Sequence, residues 1–117
     1  MDMRRPLIGL NVAGAVAAAG FAVRGVLAPQ FVRPDDETTP LVRFWAASSA
    51  VRTWSTAIPL VAALATRHRA APALLAVAGL VQIGDSALGV WQRKPDMTIA
   101  PAVMGALHLA SARALAR

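Results

Sequence analysis

Apolar residues dominate long stretches of this chain, and short segments rich in charge and proline separate them. The pattern predicts four helices, at about 6–28, 41–65, 72–91 and 99–115. From Leu7 to Val23 the one strongly polar residue is Asn11, and no side of a helical wheel is polar. That pattern marks a lipid-embedded helix rather than an amphipathic surface one. Pro6 suits a first helical turn because its missing N–H has no acceptor there. Thr39 before Pro40 reads as an N-cap followed by a first-turn proline. Pro59 removes one hydrogen bond from the second helix and predicts a bend beside Ser55 and Thr56, whose hydroxyls can satisfy the freed groups. Each run is close to the ~20 residues needed to cross a bilayer. The expected fold is all-α: a single domain, 1–117, forming a four-transmembrane-helix bundle.

Composition supports a membrane class. The 117 residues are 56% hydrophobic and only 15% charged. Twelve Lys and Arg against six Asp and Glu give a net charge of +6. In a soluble protein that excess would suggest nucleic acid, but here the cations flank apolar runs and Tyr is absent. Nucleic acid is therefore not an expected partner; the lipid bilayer is. Without cysteine the chain has no disulfide, thiol redox chemistry or Cys-based zinc site. The first segment, with Arg4 and Arg5 ahead of its apolar run and small residues at Ala17 to Ala19, also resembles a secretory signal; we expect a retained helix. With four crossings, Arg4, Arg5, Arg67, Arg69, Arg113 and Arg117 share one side. Arg33, Arg93 and Lys94 lie on the other with Asp35, Asp36, Glu37 and Asp96. The positive-inside bias predicts a plasma (inner) membrane protein with both termini cytoplasmic. The acidic trio Asp35 to Glu37 reads as a solvated charge run. Small residues at spacing four (Gly9 with Ala13, Ala13 with Ala17, Gly14 with Ala18) would let a neighbouring helix approach closely.

Three apolar segments each carry an ionisable residue: Arg52 in the second, Asp85 in the third and His108 in the fourth. An ion at the centre of a membrane helix costs on the order of 2.5–3.5 kcal/mol, so each needs a partner or a use. Counted from the outer ends of their helices, Arg52 and Asp85 differ in depth by about 7 Å, which an extended Arg covers. Gln82 lies one turn below Asp85 on the same face, and His108 is near the depth of Arg52. The expectation is an Arg52–Asp85 pair with His108 joining it directly or through water, and Gln82 close by. Such a centre can clamp helix register, or it can bind a ligand or exchange a proton. No second His or Cys stands at ligand spacing, so a metal or haem is not expected, and no other cofactor can be named. No nucleophile and base can be paired from spacing, so an enzyme is not favoured.

At these residues the chain resembles the DoxX-like group, small four-helix membrane proteins of unknown function. The shared pattern is Val51-Arg52-Thr53 in the second helix, Gly84-Asp85 late in the third and Leu107-His108-Leu109 in the fourth, in matching order and spacing. The group's second-helix signature has a Gly two residues before the Arg and an Asp after it, where this chain has Ala50 and Thr53. The resemblance implies an integral-membrane bundle, and some DoxX relatives are linked to quinone-coupled redox chemistry. The leading functional expectation is a bundle that binds a lipophilic molecule, a quinone or lipid, at Arg52, Asp85, His108 and Gln82. The alternative is an accessory or assembly subunit of a larger membrane complex, or a homo-oligomer. Proton-coupled export ranks third, because the first helix lacks an acid.

Overall fold

A computed structural model describes residues 3–31, the last by its backbone alone, and 34–117; Arg33 of the charge count lies outside the described residues. Four helices follow in order, α1 (Arg4–Leu27), α2 (Pro40–Ala65), α3 (Ala71–Trp91) and α4 (Pro95–Leu115), with a short 3-10 turn at Pro29–Phe31. The chain is thus all-α, with no strand among the described residues. Three of the helices, α1, α3 and α4, are long and apolar enough to cross a membrane. α2 is the longest at 26 residues, but Arg43, Ser48, Ser49, Arg52, Thr53, Ser55 and Thr56 make it too polar to qualify by composition alone.

Local chemistry sets the ends. Thr39 caps α2, its hydroxyl accepting from the Val42 N–H at 3.2 Å. α2 continues unbroken through Pro59. In it, the hydroxyls of Thr53 and Thr56 each donate at 3.0 Å to the carbonyl one turn earlier, which satisfies them without a second helix. The turns after α2 and α3 are built alike. The His68 N–H reaches the Ala63 carbonyl and the Lys94 N–H the Gly89 carbonyl, and Arg67 and Arg93 take the left-handed conformation between them, with φ 51° and 55°. This is a Schellman stop with Arg where Gly is usual.

The largest boundary correction concerns α4. It begins at Pro95, not near Ile99, with proline at its start and Asp96 in its first turn. The Ser86 hydroxyl on α3 donates to the Thr98 carbonyl at 2.7 Å and ties this early start down. Pro101 therefore lies inside the helix rather than in its first turn. The early start sets His108 about one turn, roughly 6 Å, deeper than the sequence count gave.

The helices pack in chain order around a bundle with a long axis of 49 Å. α1 pairs with α2 and α3 with α4 as two hairpins, and contact between the hairpins is sparser. The α3–α4 seam is close. A Cβ on Gly79 would lie 3.2 Å from the Gly105 carbonyl oxygen, and one on Gly89 would lie 2.5 Å from the Met97 backbone, so glycine is required for this approach. On α1 the close approach uses Gly14, against Met104. Gly9, Ala13 and Ala17 are exposed instead.

The core sits at one end. Leu60, Leu64 and Leu75 are fully buried, joined by Ala15, Ala57, Ala63, Ala71, Ala78 and Ala112. These residues come from the amino-terminal halves of α1 and α3 and the carboxyl-terminal halves of α2 and α4. This end also holds the α2–α3 turn.

Candidate functional site

The other end of the bundle is open. A cleft of about 1030 Å³ lies between the hairpins, and Arg52, Gln82, Asp85 and His108 all line it. Its walls are otherwise largely apolar or small, with Phe21 from α1, Trp45 and Ala50 from α2, Leu88 from α3 and Met104 from α4.

Halfway down the wall, Arg52 and Asp85 join α2 to α3. One terminal guanidinium nitrogen of Arg52 donates to both carboxylate oxygens, at 2.9 and 3.2 Å. The other guanidinium nitrogens hydrogen-bond to no described residue, and the two side chains are 46% and 28% exposed. The pair is closed electrically but keeps free donors toward the cleft.

His108 makes no direct hydrogen bond to this pair. It turns to α1, where its Nδ1 lies 2.6 Å from the Asn11 Oδ1. The Asn11 amide nitrogen donates to the Leu7 carbonyl at 2.7 Å and to the Ser111 hydroxyl at 2.8 Å. Both donor positions of Asn11 are thereby used, which fixes its oxygen toward His108. An amide oxygen only accepts, so Nδ1 carries the proton and the Nε2 of a neutral His108 is left with a lone pair. No buried side-chain nitrogen or oxygen among the described residues lacks a partner. Nε2 makes no hydrogen bond and so is reached from the cleft that His108 lines. The cleft floor therefore offers an acceptor, and its wall offers donors. Gln82 lines the cleft without hydrogen-bonding to the other three.

Asn11 and Ser111 were absent from the sequence-derived centre, although both are fully buried. The signals were there: Asn11 is the lone polar residue of its segment, and Ser111 is three residues after His108 on the same helical face. Asp35, Asp36 and Glu37 are exposed in the loop before α2. Among the described residues no group of three or more His, Asp or Glu is placed to hold a metal ion.

No family model matches the chain, and no curated protein or solved structure matches it either.

Proposed function

We propose that this chain is a four-span membrane protein that holds a lipophilic molecule, a quinone or a lipid, in the cleft between its hairpins. The observation that carries the reading is the pairing of largely apolar walls with a few convergent polar groups: the free donors of Arg52, the Asp85 carboxylate and the Nε2 acceptor of His108. Ligand sites combine an apolar enclosure with sparse polar groups that fix orientation. The polar head of the molecule sits between Arg52 and His108, with Gln82 beside it, and its apolar part lies against Phe21, Trp45 and Leu88. The motifs at Arg52, Asp85 and His108 that resemble the DoxX-like group fall on this same cleft. α2 is the fourth crossing in this reading, because it packs lengthwise between α1 and α3, and its polar residues line the cleft rather than lipid alone. The positive-inside bias orients both termini and Arg67 to Arg69 to the cytoplasm of a plasma (inner) membrane.

Extraction of the chain in its native lipid, followed by mass spectrometry, tests the binding. A molecule retained by the native chain and lost from Ala50→Trp, which fills the cleft, is the expected result. Equal retention by both would overturn the reading. A single Cys at Asp36 should be labelled by an impermeant reagent on intact cells, and one at His68 should not; the reverse pattern overturns the orientation.

The exposure of Gly9 and Ala13 on α1, away from the cleft lining, favours a second reading, an accessory subunit docking through that face. A partner or second copy that co-purifies with the native chain in mild detergent, but not with Ala13→Leu, would favour it over ligand binding.

A further inference from the structure

The sealed end of the bundle carries a second, smaller pocket of about 370 Å³, lined by residues from the adjoining ends of the four helices. Arg4 and Arg5 of α1 and Arg67, His68 and Arg69 of the α2–α3 turn line it, and Ile8 and Leu115 form an apolar wall. Among the described residues the lining contains no acid. The side chains of Arg5, Arg67 and Arg69 form no hydrogen bond or ion pair with any described residue. His68 accepts the Ala70 N–H on Nδ1 at 3.1 Å, so its Nε2 carries the proton and is one more donor. α1 and α3 both start at this end, and their N-cap residues, Met3 and Ala70, supply no side-chain acceptor. The positive ends of their helix dipoles add to the potential.

We propose that this pocket binds the phosphodiester headgroup of an anionic glycerophospholipid. Convergence distinguishes it from an ordinary row of flanking cations. Arginines that only mark topology spread into water, whereas these come from two separate chain segments and line one concave site. The apolar wall selects a lipid over a soluble anion: Ile8 and Leu115 lie where an acyl chain leaving the headgroup would pass into the membrane. The proposal rests on the helices crossing a membrane and is independent of the cleft ligand.

Native mass spectrometry of the full chain in a nonionic detergent tests it, with phosphatidylglycerol, phosphatidylcholine and inorganic phosphate as probes. One phosphatidylglycerol should bind per chain, well ahead of phosphatidylcholine. Each arginine removed should weaken binding roughly fivefold, the equivalent of ~1 kcal/mol per cation near a lipid surface, so Arg5→Gln with Arg69→Gln should lower affinity by roughly 25-fold. Arg67→Gly separates binding from folding. Glycine relieves the left-handed backbone, so thermal stability should hold or rise while phosphatidylglycerol binding still falls roughly fivefold. Equal binding of the two lipids, unchanged phosphatidylglycerol binding in Arg67→Gly, or displacement of the lipid by millimolar inorganic phosphate would overturn the proposal.

Discussion

The two ends of this bundle are made by the same four alanine-rich helices, yet one end is packed and the other holds a cleft. The difference lies in what points inward. At the packed end Leu60, Leu64 and Leu75 fill the space between alanines. At the open end the inward positions are Ala18, Ala22 and Gly25 on α1 and Ser49, Ala50 and Thr53 on α2. Small residues draw membrane helices together only when the facing surface can close on them. Here Arg52 and Asp85 stand in the gap between α2 and α3, and the space stays open. The polar chemistry divides in the same way. Asn11 and Ser111 are fully buried and hydrogen-bonded where packing is dense, while the Arg52–Asp85 pair faces open space. His108 stands at the boundary, 3% exposed, with Nδ1 held by Asn11 and Nε2 left without a partner at the cleft floor.

The strongest way to break this contrast is to hollow the packed end. Leu75→Ala should cost about 3 kcal/mol, within the range for buried leucines but below its maximum, because lipid rather than water surrounds the separated helices. Reversible unfolding in detergent measures it. A loss below about 1 kcal/mol would mean that this end is as loose as the other.

Asn11→Ala comes next, at about 2 kcal/mol, since it strands the His108 N–H and the Ser111 hydroxyl in a dry site. Asn11→Leu at similar volume should be no better, because packing is not what Asn11 supplies. Recovery of stability in Asn11→Leu would show that the hydrogen bonds are incidental.

At the seam that runs through both ends, Gly105→Ala should cost about 1 kcal/mol. Its Cβ would lie 2.8 Å from the Ile83 side chain and 3.2 Å from the Gly79 carbonyl oxygen. The side chain can give way, but the carbonyl cannot without parting α3 from α4. A neutral result would mean that the hairpin has slack.

Arg52→Gln should have the smallest effect on stability, below about 1 kcal/mol, because an ion pair exposed to this extent is screened in an accessible cleft. Its effect should appear in retention of the bound molecule instead. A loss of 3–5 kcal/mol, partly recovered when Arg52→Asp is combined with Asp85→Arg, would show that lipid seals the cleft and that the pair is effectively buried.

Sequence periodicity alone determined that the chain is helical, gave four elements with most boundaries within a residue or two, and identified the Thr39 cap. Those features depend on neighbours along the chain: a run without a polar face, a proline in a first turn, a hydroxyl ahead of a helix. The Arg52–Asp85 pair was legible too, because two unlike charges at similar depth in adjacent apolar helices have few other partners. Tertiary structure decided the rest. The start of α4 depends on the Ser86 to Thr98 bond and on glycine at Gly89, contacts between helices that no local pattern announces. Packing also decided which neighbour His108 meets, its Nδ1 lying against Asn11 of α1 rather than the Arg52–Asp85 pair. Which small residues lie against a neighbour was likewise beyond the sequence, since Gly9 and Gly14 belong to equivalent motifs and only Gly14 meets another helix. Helix rotation about its own axis distinguishes them, and rotation is fixed by how all four surfaces pack at once.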